Sequence, residues 1–172
     1  MSMTGRTLVL LRHAKAETPG DLPDFDRRLT TRGRNDSDAA GSWLAAHTLR
    51  PDLVLCSPAT RTRQTWQGVA VALATADPAG GEPEVHYERG LYDGGRTELV
   101  DLLRAVPDTV HTVLVIGHNP TMSDVSILLR PDRPDELTGL RTCGLAVHRP
   151  SGAWSDTEPG SADLVQEHTA RA

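Results

Sequence analysis

The chain has 172 residues, 38% of them hydrophobic and 24% charged, with a formal net charge of −5 at pH 7. That length fits one domain, 1–172, with room for a substantial core. An acidic balance leaves no basic surplus for nucleic acid, and no apolar run approaches the roughly 20 residues of a bilayer span, so a cytoplasmic protein without nucleic-acid or membrane partners is expected.

In chain order, Leu8-Val9-Leu10-Leu11 is apolar without alternation, as in a strand buried on both faces of a mostly parallel sheet, and Arg12-His13 closes it. From Ala14 to Arg28, Pro, Asp and Arg break any period and predict a loop over that strand end. Thr30 and Thr31 can cap a helix from about 32 to 48, with Ala39, Trp43, Leu44 and Ala46 on its apolar side, stopped by Pro51. Leu53 to Cys56 reads as a second strand. Ser57-Pro58 then resembles an N-cap followed by Pro at the first position of a helix over 58–74. Cys56 and Cys143 lack CxxC or metal-ligand spacing and read as free thiols.

Residues 76–83 are turn-rich and 84–88 form a weak strand. Leu99, Val100, Leu102 and Leu103 give a helix over 97–106, ended by Pro107. Val113-Leu114-Val115-Ile116 is a second continuous apolar run, closed by Gly117-His118, and Asn119-Pro120 repeats the cap-then-Pro pattern before a helix to Arg130. Residues 131–139 read as loop. Leu145 to His148 and Ala162 to Gln166 are expected as late antiparallel strands, with His148-Arg149 at a surface strand end.

This alternation predicts an α/β fold, a three-layer α/β/α sandwich around a mostly parallel sheet. Such sheets bind ligands at the carboxyl ends of their strands, where three turns carry polar groups: Arg12-His13, Ser57 with Arg61, and His118. Helix N-termini at two of these turns favour an anion, and Arg12 and Arg61 could each grip phosphate oxygens through paired N–H groups. Arg63 lies about 200° around the helix axis from Arg61 and is expected to face away.

The segments Arg12-His13-Ala14, Asp26-Arg27-Arg28-Leu29-Thr30-Thr31-Arg32-Gly33, Ser57 to Thr65 and Gly117-His118-Asn119-Pro120, in that order, resemble the histidine phosphatase superfamily and its short SixA-type branch. The resemblance spans about residues 7–130. It implies a phosphoglycerate mutase-like fold, His13 as the phosphate-accepting nucleophile, and a phosphate pocket of Arg12, Arg61 and His118, with no cofactor or metal. Ala14 stands where much of the superfamily has Gly. Glu88 resembles the family's proton donor, Asp93 is its rival, and the SixA-type branch can lack a fixed donor. The implied substrate is phosphohistidine on another protein, with small phosphorylated metabolites or nucleotides as the alternative.

In this reading a neutral His13 attacks phosphorus, Arg12 and Arg61 keep it unprotonated by like charge, and water hydrolyses the covalent phosphohistidine. Other readings fit less well. Only four residues separate Cys56 from Arg61, one short of a cysteine-phosphatase loop, and Pro58 removes a backbone donor from that loop. His13, His111 and His118 show no metal-ligand spacing. His47, His86 and His168 lack motif partners and read as solvated or structural. Short loops disfavour a mutase that retains its intermediate, and a nonenzymatic phosphate-binding module is disfavoured by the presence of both histidines.

Overall fold

The computed structural model describes residues 5–132 and 138–172. The strands are β1 Thr7–Arg12, β2 Leu53–Cys56, β3 Glu84–Tyr87, β4 Thr112–Gly117, β5 Gly144–Pro150 and β6 Ala162–Thr169. They form one sheet in the order β3-β2-β4-β1-β5-β6. The first four are parallel, and β5 and β6 are antiparallel additions. The helices are α1 Thr31–Ala46, α2 Thr60–Ala76, α3 Gly90–Asp93, α4 Arg96–Arg104 and α5 Thr121–Leu129.

The unbroken apolar runs are explained by burial on both faces. Successive strand side chains point to opposite sides. Leu8, Leu10, Val113 and Val115 enter one core, closed by Leu99 and Leu103 of α4 and Met122, Val125 and Leu129 of α5. Val9, Leu11, Leu114 and Ile116 enter the other, closed by Ala40 and Leu44 of α1 and Trp66, Val69 and Leu73 of α2. The three-layer, mostly parallel architecture is as the sequence predicts. None of these helices is long and apolar enough to cross a membrane.

Local starts and stops differ from expectation at several points. Thr30 caps α1 as predicted, its Oγ1 accepting from the Gly33 N–H at 2.9 Å. Helix α2, however, begins at Thr60 rather than Pro58, with Ala59 as an N-cap lacking any side-chain bond. Thr62 accounts for the delay, because its hydroxyl donates to the carbonyls of Ser57 and Ala59, both at 2.8 Å, and folds the turn back on itself. Asn119 acts as a cap from one residue further out than expected: α5 has Pro120 at its N-cap, and Asn119 Oδ1 accepts from the Ser123 N–H at 3.1 Å.

The one-turn helix α3 was not predicted, and a 3-10 turn, Asp24–Asp26, interrupts the loop after β1. His148 is not a surface residue. It is fully buried between Ser126, whose hydroxyl pairs with Nε2 at 2.8 Å, and the Ala162 carbonyl at 3.2 Å from Nδ1. The antiparallel addition of β6 covers this end of β5. Of the loop expected over 131–139, residues 133–137 lie outside the described residues.

Leu10 is fully enclosed in β1, whereas Val71 on α2 is 62% exposed. Leu10→Ala should therefore cost about 3 kcal/mol in urea unfolding, through lost transfer energy and the cavity left behind. Val71→Ala should change stability by less than about 0.5 kcal/mol.

Candidate active site

Strand order brings the polar turns together. With β4 between β1 and β2, and with Arg12 opposite Gly117 and Cys56 opposite Ile116, the residues that follow each strand meet along one edge. Those residues are His13, His118 and Ser57. The His13 N–H donates to the Gly117 carbonyl and the Ser57 N–H to the Ile116 carbonyl, both at 3.0 Å, so the ladder runs into the site. The His13 and His118 ring centroids lie 5.3 Å apart.

His13 is held in one tautomer. Its Nδ1 lies 2.7 Å from the Ala14 carbonyl, an acceptor only, so the proton sits on Nδ1 and Nε2 keeps its lone pair. Burial presses the imidazole down to about 4, with the charges of Arg61 and Arg12 adding to it and the Ala14 bond opposing. The expectation that the arginines keep His13 neutral needs correcting, since desolvation is the larger cause. Burial likewise takes His118 down to about 3, followed by the charge of Arg61.

The segment around His13 is anchored by the motif residues. Thr65 Oγ1 donates to the Arg61 carbonyl at 2.8 Å and accepts from the Ala14 N–H at 3.1 Å, tying α2 to the residue after His13. Gln64 Oε1 accepts from the Leu29 N–H at 2.8 Å. Gly33 lies so close to the Lys15 carbonyl that a Cβ there would collide with it. This contact gives a physical reason for the Leu-Thr-x-x-Gly segment: its Gly lets the loop after β1 lie directly on α1.

Three groups in this cluster lack partners. Among the described residues, the buried side-chain nitrogens without a hydrogen bond are Arg12 Nε, Arg61 Nε, His118 Nδ1 and, away from the cluster, Arg6 Nε. Buried polar groups left unpaired are costly, which makes three such nitrogens in one place a ligand signal. His118 Nε2 is 2.8 Å from Ser57 Oγ, and that oxygen accepts from the Ala59 N–H at 3.3 Å. Nε2 of His118 is thus engaged by Ser57, while Nδ1 is buried without a partner. Arg12 donates to the Leu140 carbonyl at 3.0 Å.

Two residues here went unnoticed in the sequence, Asp24 and Tyr92. Arg61 donates to the Asp24 carbonyl at 2.8 Å and to its Oδ2 at 3.1 Å, and the Tyr92 hydroxyl donates to the same Oδ2 at 2.8 Å. An Asp three residues before an Arg, within the Asp24-Phe25-Asp26-Arg27 turn, was the available clue, and the Arg27–Asp24 pair at 3.0 Å is that local contact.

The two proton-donor candidates stand differently. Asp93 is exposed and paired with Arg89 at 3.1 Å. Glu88 follows β3, its backbone N–H bonded to the Cys56 carbonyl at 2.9 Å. Arg63 faces outward over the Tyr87 ring, whereas Arg61 is buried, as helix geometry predicts. Burial pushes the Cys56 thiol up to about 12, far from a reactive thiolate. Both cysteines are free. His47 and His168 stack on Trp43, and His86 pairs with Glu84. No group of three or more His, Cys, Asp or Glu is placed to hold a metal ion among the described residues.

The family model of the histidine phosphatase superfamily (branch 1) matches residues 8–89. The chain is 36% identical over 168 residues to an uncharacterized protein of Mycobacterium tuberculosis, covering 94% of this chain and all of that one. A solved structure from Nakamurella multipartitia, provisionally named phosphohistidine phosphatase SixA, is 35% identical with a TM-score of 0.84 and covers 99% of each chain. Another, from Agrobacterium tumefaciens and named with the same reservation, is 29% identical with a TM-score of 0.71, covering 96% of this chain and 99% of that one.

The two buried imidazoles give stability a defined pH dependence. Both titrate below the ordinary 6.5, so as pH falls from 6.5 toward about 4 the unfolded chain takes up protons that the fold refuses. Above 6.5 both rings are neutral folded or unfolded and cost nothing, and below it they destabilise the fold increasingly until the pH reaches their folded values. The thermal midpoint of the wild type should drop between pH 7 and pH 4.5, and that of His13→Asn/His118→Asn should drop less. Equal drops would contradict the burial argument.

Proposed function

The chain belongs to the histidine phosphatase superfamily and has its phosphoglycerate mutase-like α/β fold, and from that premise we propose that it is a metal-independent phosphatase with His13 as nucleophile and phosphohistidine on another protein as substrate. The observation that carries this reading is the neutral His13 imidazole beside three buried, unpartnered nitrogens, the guanidinium Nε donors of Arg12 and Arg61 and the Nδ1 of His118. Such a set is complementary to a phosphoryl group. The attacking Nε2 carries no proton, and the fixed guanidinium donors match charge that spreads over the transferring oxygens.

In this mechanism the Nε2 lone pair of His13 attacks phosphorus in line as the bond to the leaving group breaks, its electron pair departing on nitrogen or oxygen. Water then attacks the phosphorylated His13, the P–Nε2 bond breaks, and inorganic phosphate leaves. Two easier displacements replace one hard one. Arg12, Arg61 and His118 hold the oxygens in both steps.

Two things support phosphohistidine as the substrate. Over nearly the whole chain the protein is similar to structures provisionally named for that activity. Asp93, one of the two carboxyls considered as proton donor, is committed to Arg89 at the surface. A phosphoramidate leaves far more readily than an alkoxide, so the loss of Asp93 as a donor handicaps it least, and Glu88 at the end of β3 is the remaining carboxyl candidate. The cytoplasm, where phosphorylated signalling proteins reside, is the compartment that fits this reading.

The test is a turnover screen across a phosphohistidine protein, sugar phosphates and nucleotides. His13→Ala should release no phosphate, while Cys56→Ala keeps most of the rate. The phosphohistidine protein should give the highest kcat/KM. A higher value for a sugar phosphate or nucleotide would move the substrate to small metabolites and leave the mechanism intact. Arg61→Ala should cost roughly 3 kcal/mol in kcat/KM, the loss of one transition-state donor, and Arg63→Ala almost nothing. Excess chelator should leave activity unchanged, and a loss restored by zinc or manganese would overturn metal independence.

A further inference from the structure

We propose that Asp24 is a positioning residue for phosphoryl transfer: it clamps the Arg61 guanidinium at two nitrogens and so aims the remaining N–H groups of Arg61 into the phosphoryl pocket. This rests on the phosphatase reading above. Arg61 reaches the pocket from the first turn of α2, on a long side chain that needs a fixed partner to hold one geometry. Asp24 provides two anchors from one residue, its carbonyl on Nη1 at 2.8 Å and its Oδ2 on Nη2 at 3.1 Å. Nε stays buried and unpartnered.

The clamp is itself braced. Oδ1 of Asp24 accepts from Arg27 Nε at 3.0 Å, and Oδ2 also accepts from the Tyr92 hydroxyl at 2.8 Å, so both carboxylate oxygens are engaged. Tyr92 is held in turn by an edge-on contact with Phe25 at 4.9 Å, and it meets the His118 ring edge-on at 5.6 Å. The Arg89 guanidinium lies over both Phe25 and Tyr92. The loop after β1, helix α3 and the phosphoryl pocket are thus joined through one carboxylate. Desolvation works against its charge, but hydrogen bonds from Tyr92 and Arg61, with the charges of Arg61 and Arg27, hold the carboxyl down to about 2, so the clamp is ionised across any ordinary assay range.

A positioning role and a competing role predict opposite results. If Asp24 aims Arg61, its loss is felt in the transition state, where donor placement matters most. If Asp24 only neutralises Arg61, its loss tightens anion binding. The experiment measures kcat and KM with phosphoimidazole for wild type, Asp24→Ala, Asp24→Asn, Tyr92→Phe, Arg61→Ala and Asp24→Ala/Arg61→Ala, with thermal midpoints to verify folding.

Asp24→Ala should lower kcat about tenfold or more with KM within about twofold, as expected for a misplaced donor. Asp24→Asn, which keeps an acceptor for Nη2 and Tyr92, should recover much of the loss, and Tyr92→Phe should show a smaller loss of the same kind. In the Arg61→Ala background, Asp24→Ala should cost nothing further. Equal losses in both backgrounds, or an unchanged kcat with tighter phosphate inhibition, would overturn the proposal. A wild type inactive toward phosphoimidazole, a phosphohistidine protein, sugar phosphates and nucleotides alike would instead overturn the phosphatase reading beneath it.

Discussion

The whole arrangement depends on keeping one imidazole unprotonated within reach of two guanidinium groups and out of water. A His13 that carried a second proton would have no lone pair to offer, and one exposed to solvent would titrate near 6.5. The fold meets both conditions with short-range devices. The Ala14 carbonyl accepts a hydrogen bond from Nδ1–H, burial resists a second proton, and strand β1 ends where the side chain enters the cluster instead of the core. Like charge from Arg12 and Arg61 reinforces the result but is not its main source.

Helix α2 carries a double load. Its buried side supplies Trp66, Val69 and Leu73 to the core shared with α1. The first turns of the same side carry Arg61, Thr62 and Thr65, all buried. Packing α2 onto the sheet therefore places the Arg61 guanidinium at the site, while the Thr65 hydroxyl fixes the Ala14 backbone and the Thr62 hydroxyl shapes the entry from β2. A hydrophobic ridge and the turn that carries Arg61 on one helix make core packing and site geometry a single constraint, so a shift of α2 along its axis would move Arg61 relative to His13.

The central strands were legible because burial on both faces leaves an unbroken apolar run, and His13 and His118 were legible because each directly ends such a run. Arg61 and Arg63 were separable by helix periodicity alone. Helix starts were less legible. Ser57-Pro58 has the letters of a cap, yet the Ser57 hydroxyl is drawn to His118 and the Thr62 hydroxyl takes over the turn. His148 looked like a strand end because nothing near it in sequence shows that Ser126 and Ala162 enclose it. The Asp24–Tyr92 contact was hidden for the same reason, since it joins the turn after β1 to the one-turn helix α3, 68 residues away, and neither is long enough to carry a period. What composition and periodicity encode is which face is buried. Which hydroxyl or carboxylate meets which partner is decided by the tertiary approach of segments.

The central claim, that Nε2 of His13 carries the phosphoryl group, is tested most directly by trapping the phosphorylated protein. Rapid quench of the wild type during turnover of a radiolabelled phosphohistidine protein should give a phosphoenzyme that survives alkali, is lost in acid, and maps by mass spectrometry to the peptide containing His13. A label that resists acid, or one that maps to any other residue, would contradict the account.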